Sequence, residues 1–524
     1  MSRLRLAATA FAALALALLA AAPGRALASA TQLSIMQDDN QLVYGTDATR
    51  DAALRRMKAL GVDVVRATVL WRNVASGVSA RQARRRDMRN PRSYGVRVWN
   101  RYDNLVRSAQ ADGLRVYFSV TGPAPDWAHG RAPRGERTVV KQAWEPSPQQ
   151  FGKFVTALGR RYSGRYRDED TGRSILPRVD FWGLWNEPNQ AGWLAPQYAF
   201  SRQARKVIPV SPIMYRALFF RGRRALDDTG HGRDTILVGE SAPLGSGAQG
   251  ARSPIRPAKF LREFLCVDAR DHALRGRAAR ARNCSDFDKF GPIRATAWGH
   301  HPYTKNLAPT QRDRSRDSIT MANISDLGVL IDRYARTHRI AKGLPIMITE
   351  FGYETNPPDP FSGKPLDTVA DWLNEGDYLA AVNPRVLSQT QFMLDDAPPV
   401  AGKRANTKAY WFTYQSGLYF ANGAAKPSAQ AYALPFLASP VAGGVGVWGQ
   451  LRFRPNGIND SVQIERLSDD GTTWQPVGAP LSVINPVGMF QGVLAGAGPG
   501  VYRAHWSDGQ PGGDFASRTV NVGL

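Results

Sequence analysis

The chain has 524 residues, 43% hydrophobic and 21% charged, with a formal net charge of +24. That length exceeds one small core and predicts a large domain with a smaller companion, and the balance excludes general disorder. The arginine excess is scattered through helix-like segments instead of being blocked together with aromatics. This excludes a sequence-reading nucleic-acid protein and leaves attraction to an acidic cell-wall polymer open.

Residues 1–30 read as a secretory signal peptide. Arg3 and Arg5 precede an apolar run from Leu6 to Ala22, and small residues place cleavage after Ala28 or Ala30. The run is short for a membrane span, and no later stretch could cross a bilayer. The expectation is a secreted or cell-wall-associated protein without a membrane span, acting as a monomer. In an oxidising compartment Cys266 and Cys284, the only cysteines, are expected to pair. Closing that loop stabilises by roughly 3 kcal/mol in the chain-entropy model.

From residue 31 to about 436, strand-like runs alternate with amphipathic helical runs, which predicts a parallel α/β architecture. The first strand, Leu33–Met36, opens onto Asp38 and Asp39, and the second, Val62–Leu70, ends at Trp71. The third, Leu114–Val120, leads into the turn-rich Gly122-Pro123-Ala124-Pro125. The fourth runs through Phe181-Trp182-Gly183-Leu184-Trp185-Asn186-Glu187-Pro188-Asn189, where Pro188 has no N–H and must end the ladder. Thr235–Gly239 is followed by Glu240, Ala295–Gly299 by His300-His301-Pro302-Tyr303, and Leu344–Thr349 by Glu350. The eighth strand is placed at Ala409–Thr413, containing Trp411, with a closing helix at Ser428–Leu434. Helices are predicted at Asp51–Leu60, Trp99–Ala111, Pro148–Tyr162, Lys259–Val267 and Ser325–Thr337. The fold class is therefore a (β/α)8 TIM barrel. After residue 436, Gly and Pro rise and short alternating runs take over, with turn signals such as Pro455-Asn456-Gly457. They predict a small all-β, immunoglobulin-like sandwich over 437–524. Its role is read as a packing accessory to the barrel, the alternative being a sugar- or wall-binding module.

Glu187 and Glu350 each end an apolar strand, so they face one another across the carboxyl-end mouth of a closed barrel. Glycosidic cleavage needs one carboxylic acid to protonate the leaving oxygen and a second, ionised carboxylate to attack the anomeric carbon or activate water. Different surroundings can separate their pKa values to that end.

Trp185-Asn186-Glu187-Pro188 and Ile348-Thr349-Glu350-Phe351-Gly352 resemble the strand-four and strand-seven signatures of clan A retaining glycoside hydrolases, the clan of cellulase-like family 5 and its relatives. The resemblance spans the barrel. It implies Glu187 as acid/base, Glu350 as nucleophile, net retention, and no metal or organic cofactor. It further implies Asn186 as a ligand of the neighbouring sugar hydroxyl, Arg66 as the cation that keeps the nucleophile ionised, and His301 and Tyr303 as the strand-six pair beside Glu350. Trp411 becomes the strand-eight sugar platform. The strand-three exit departs from family 5, since Thr121-Gly122-Pro123 lacks the histidine many members carry there.

The residues thus point to a secreted retaining glycosidase acting on a β-linked poly- or oligosaccharide. The alternative is a non-catalytic carbohydrate- or envelope-binding protein on an enzyme-like barrel. Glu240 is read as a structural ion-pair partner before a sugar ligand, and His300 as a hydrogen-bonding residue. Asp38 and Asp39 either cap a turn or touch substrate. Trp71, Trp127, Trp185, Trp193, Trp298 and Tyr353 are the other aromatics at strand exits, available for stacking on sugar C–H faces.

Overall fold

The structure, a computed structural model, describes residues 32–523 apart from 171, 173, 455–459 and 511–512. The segment 1–30 read as a signal peptide and the Pro455-Asn456-Gly457 sequence read as a turn lie outside the described residues. Eight strands form one parallel sheet: β1 (Leu33–Gln37), β2 (Val64–Leu70), β3 (Arg115–Thr121), β4 (Phe181–Leu184), β5 (Thr235–Ser241), β6 (Ala297–His300), β7 (Ile346–Ile348) and β8 (Ser388–Phe392). Their order is β8-β1-β2-β3-β4-β5-β6-β7. Closure comes from a parallel bridge between Ile346 and Val386, with Leu387 N–H donating to Ile346 O at 2.9 Å.

The eighth strand is thus not at Ala409–Thr413, which lies in the irregular segment beyond β8. The real strand reads Ser388-Gln389-Thr390-Gln391-Phe392 and carries no apolar run. Its hydroxyls satisfy the seam instead: Ser388 Oγ and Thr390 Oγ1 both donate to Ile348 O, at 3.0 and 2.6 Å. Polar side chains that find partners can be buried without loss. Two long helices also escape the periodicity, Ser211–Asp228 and Leu366–Ala381. The expected helices form within a few residues of their predicted ends. Pro148–Arg161, for example, starts where Ser147 Oγ accepts from Gln150 N and buries Phe151, Phe154, Val155 and Leu158.

Inward-facing residues follow the two-residue alternation of the strands. One layer of the lumen is apolar, built from Ile35, Val64, Tyr117, Phe181, Leu237, Ala297 and Met347. Two residues further along the strands, toward their carboxyl ends, the alternation brings up Gln37, Arg66, Ser119, Gly183, Gly299 and Thr349. The lumen turns from apolar to polar within one step of the pleat.

Cys266 and Cys284 are joined, tying the end of the helix Pro257–Phe264 to the segment beyond Gly276–Arg280. The last part of the chain forms two antiparallel sheets, one of Phe436–Val441, Gly444–Gln450 and Met489–Ala495, the other centred on Ser461–Leu467 and Gly500–Ser507. They enclose their own core, including Val447, Ile464, Phe490 and Tyr502. This sandwich docks on the barrel through buried contacts. Arg452 pairs with Asp377 at 2.9 Å, and its guanidinium lies 4.2 Å over the Tyr432 ring. Trp448 packs against Tyr378, and Arg518 reaches Asp367 and Asp371. Such contacts fit a packing accessory.

Candidate active site

The exits of β4, β5 and β7 meet over the polar layer. At the end of β4 the chain leaves the extended region: Trp185 and Glu187 have φ of 80° and 38°. Non-glycine residues held there are strained and persist where surrounding bonds fix them. Trp185 N–H donates to Val120 O, Asn186 N–H to Thr121 Oγ1, and Glu187 N–H to Glu240 O. Asn189, fully buried, spends its amide on Ala242 and Ile255 and so ties this turn to the loop after β5.

Arg66, wholly buried on β2, is the hub. Its Nη1 donates to Glu350 Oε1 at 2.8 Å and to Gln37. Its Nη2 donates to Asn186 Oδ1 at 2.8 Å, Glu240 Oε2 at 2.9 Å and Ser119 Oγ at 3.2 Å. Burial works against its charge, but Glu240 and Glu350 outweigh burial and hold the guanidinium protonated. Tyr303 donates to Glu350 Oε2 at 3.1 Å, and burial followed by the Glu350 charge keeps its phenol protonated. Both Glu350 oxygens therefore accept a hydrogen bond, one from a guanidinium and one from a phenol.

Glu187 has the opposite surroundings. Burial pushes its carboxyl up to about 7, against the Arg66 charge and a hydrogen bond from Trp193. His301 Nδ1 lies 3.1 Å from Glu187 Oε1 and 3.5 Å from Glu350 Oε2. Burial pulls that imidazole down to about 4, so it stands between the two carboxyls as a neutral group. Glu187, His301 and Glu350 each offer an atom within 4.8 Å of the others, the closest such grouping of potential metal ligands among the described residues. A cation there would compete with the Arg66 and Tyr303 donors already on Glu350. The trio suits proton transfer better.

Glu187 and Glu350 open into a cavity of about 900 Å³. Asp39, Gln190, Trp193, Tyr353 and Tyr414 also line it. So do Lys305, Lys364 and Lys408, on the loops after β6, β7 and β8. A hollow of about 1080 Å³ at the other end of the barrel, lined by Arg294, Thr296 and Lys342, touches none of these residues.

The structure brings Arg66, Asn186, Glu187, His301, Tyr303 and Glu350 together as the sequence implied. It does not bring Trp411, which lies half-buried on the segment after β8, edge-on to Tyr410 and outside the cavity lining. The aromatic that this segment sends into the cavity is Tyr414, packed on Phe392 at the end of β8. Trp71, Trp185 and Trp298 are core residues, whereas Trp193 and Tyr353 reach the cavity. Asp38 caps a turn, accepting from Gln41, Leu394 and Asp395, while Asp39 lines the cavity. His300 is a hydrogen-bonding residue, bonded to Ser241 Oγ and Ile319 O. Tyr414 and Tyr44, which also lines the cavity, were not singled out from the sequence, because each is one aromatic in an irregular segment with no pattern around it.

No protein-family model matches the chain, and no curated protein matches it in sequence. Among solved structures it is similar to a family 39 glycoside hydrolase from Bacteroides cellulosilyticus, with 12% identity, 88% of this chain and 81% of that one covered, and a TM-score of 0.44. A glucosidase from Croceicoccus marinus gives 12% identity, 87% and 82% coverage, and a TM-score of 0.47. A β-glucosidase from Exiguobacterium marinum gives 16% identity, 73% and 84% coverage, and a TM-score of 0.43. What the cavity can do follows from its own residues.

Proposed function

We propose that the protein is a secreted retaining O-glycoside hydrolase acting on a β-linked poly- or oligosaccharide. The observation that carries this is the pairing of Glu187 and Glu350 in one cavity, with oxygens within 4.8 Å and opposite surroundings. Inverting pairs stand about 6.5–9.5 Å apart to leave room for a water between them and retaining pairs about 5–5.5 Å; a nearest-oxygen approach within 4.8 Å leaves little such room and so supports retention.

In the first step Glu187, protonated, gives its proton to the glycosidic oxygen as that C–O bond breaks. Glu350 attacks the anomeric carbon from the other face, and a glycosyl ester forms. Asn186, held by Arg66, is placed to hydrogen-bond the neighbouring sugar hydroxyl. In the second step Glu187, now a carboxylate, takes a proton from water as that water attacks the same carbon and frees Glu350. The two faces of attack return the original anomeric configuration.

Export rests on the segment 1–30, and attraction to acidic wall polymers on the +24 charge. The intact acid/base pair argues against the binding-only alternative.

The test is a Glu350→Ala variant assayed on an activated aryl β-glycoside. Turnover should collapse, and added azide should restore it with an α-glycosyl azide as product. Unchanged turnover in the variant would sink the mechanism.

A further inference from the structure

Glu240 belongs to no step above, yet it is among the most deliberately placed side chains in the barrel. Strands β5 and β6 pair Gly239 with Gly299 and Ser241 with His300, so Glu240 is an extra residue in a bulge. Bulges re-aim side chains and recur beside active sites. Counting from Leu237, which faces the lumen, Gly239 would take the inward place in the polar layer. The bulge shifts the alternation by one and gives that place to Glu240, at φ of 42°. A non-glycine residue at positive φ is strained.

The barrel is emptied to receive it. A Cβ at Gly183 on β4 would lie 1.9 Å from Glu240 Oε1, and one at Gly299 on β6 would lie 2.9 Å from Glu240 Cγ. Once inside, Glu240 is almost wholly buried and accepts from Arg66 Nη2 at 2.9 Å and Ser119 Oγ at 2.7 Å. Its own carbonyl accepts from Glu187 N–H at 2.9 Å. It does not line the cavity, so it is not a sugar ligand.

We infer that Glu240 is a positioning residue, acting through Arg66 on Glu350. A guanidinium is a rigid planar fork, and anchoring one end fixes the direction of the other. With Nη2 held by Glu240 and Ser119, Nη1 can point only at Glu350 and Gln37. Burial pushes the Glu240 carboxyl up to about 7 against the pull of Arg66, and in its ionised form this second carboxylate shares the single positive charge. Arg66 holds Glu350 in place without committing its whole charge to it, and Glu350 keeps the electron density with which it attacks. This rests on the glycosidase reading and adds a residue to it.

Glu240→Gln keeps the shape and an oxygen for Nη2 and removes the ionisable carboxyl. Single-turnover release of nitrophenol from a 4-nitrophenyl β-glycoside should slow about tenfold per folded molecule. KM should stay within about twofold, because the cavity lining is unaltered. A purely structural residue would lower thermal stability and leave the rate of the folded fraction alone. Should Glu240→Gln fail to fold, Ser119→Ala removes only the second anchor, and about a threefold loss of rate is expected, the scale of one hydrogen bond. Rates per folded molecule within twofold of wild type in every variant that folds would overturn the inference. Glu350→Ala runs in the same assay. If it collapses while Glu240→Gln does not, only the role of Glu240 fails; if Glu350→Ala is fully active, the glycosidase mechanism itself fails.

Discussion

The phenol of Tyr303 donates to Glu350 Oε2 at 3.1 Å, on the oxygen that Arg66 leaves free. Tyr303→Phe removes that donor and keeps the ring. A hydrogen bond to a charged acceptor contributes about 1.5–3 kcal/mol, so kcat should fall roughly tenfold to a hundredfold. Steady-state kinetics on an aryl glycoside, with the folded fraction checked by circular dichroism, measures it. A loss confined to KM would mean that Tyr303 serves binding alone.

In the proposed mechanism Glu187 must be protonated to act as the acid, and burial holds its carboxyl at about 7 against an ordinary 4.5. The rate should therefore fall as pH rises through about 7, giving an alkaline limb to kcat/KM. The stability consequence has the matching sign. The folded protein holds this proton more tightly than the unfolded chain, so the contribution is present below pH 4.5 and is lost as pH rises through about 7. Glu187→Gln cannot ionise, and its melting temperature should gain on wild type across that window. A difference constant with pH would show that Glu187 does not titrate there.

Trp193 lines the cavity with Glu187, while Trp411 lies outside the lining. Trp193→Ala should raise KM several-fold and shift the alkaline limb, whereas Trp411→Ala should leave kcat/KM within about twofold. Glycoside kinetics across pH on the two variants, side by side, checks this.

Arg452 and Asp377 form a buried pair between sandwich and barrel. Removing one partner of such a pair costs about 3–5 kcal/mol. Arg452→Ala should melt several degrees below wild type with an unchanged kcat. A chain ending at residue 436 should aggregate on size-exclusion chromatography, because it leaves Asp377 unpaired and exposes the faces of Ala381 and Tyr378 that Trp448 and Met489 cover.

Double replacement of Cys266 and Cys284 by serine removes a link across 18 residues that lies away from the cavity. The chain-entropy model puts the loss near 3 kcal/mol. The expected result is a lower melting temperature by differential scanning calorimetry, with kcat preserved at 25 °C.

The two glutamates were legible because each follows an apolar strand and, in one case, a proline that ends it. Their neighbours Arg66, His301 and Tyr303 were legible only through the motif resemblance. Strand β8 was not, since buried strands are sought as apolar runs and Ser388, Thr390 and Gln391 hide their polarity in bonds to Ile348 O, Ser416 O and Met393 O. The misplacement of Trp411 followed from that one strand. Glu240 was readable as a carboxylate at a strand end, but its direction depends on a bulge that one-dimensional alternation does not reveal.

The polar seam has a consequence for how the chain is made. Both glutamates are synthesised before β8, yet β1 and β7 each wait for residues 386–392 to cover an open edge. A nascent or prematurely terminated chain that stops short of Ser388 would carry both Glu187 and Glu350 on a sheet with two bare margins. Bare margins recruit other chains. Fragments of this protein should therefore be adhesive before they are ever active, and completion of a strand that touches no substrate is what turns one state into the other.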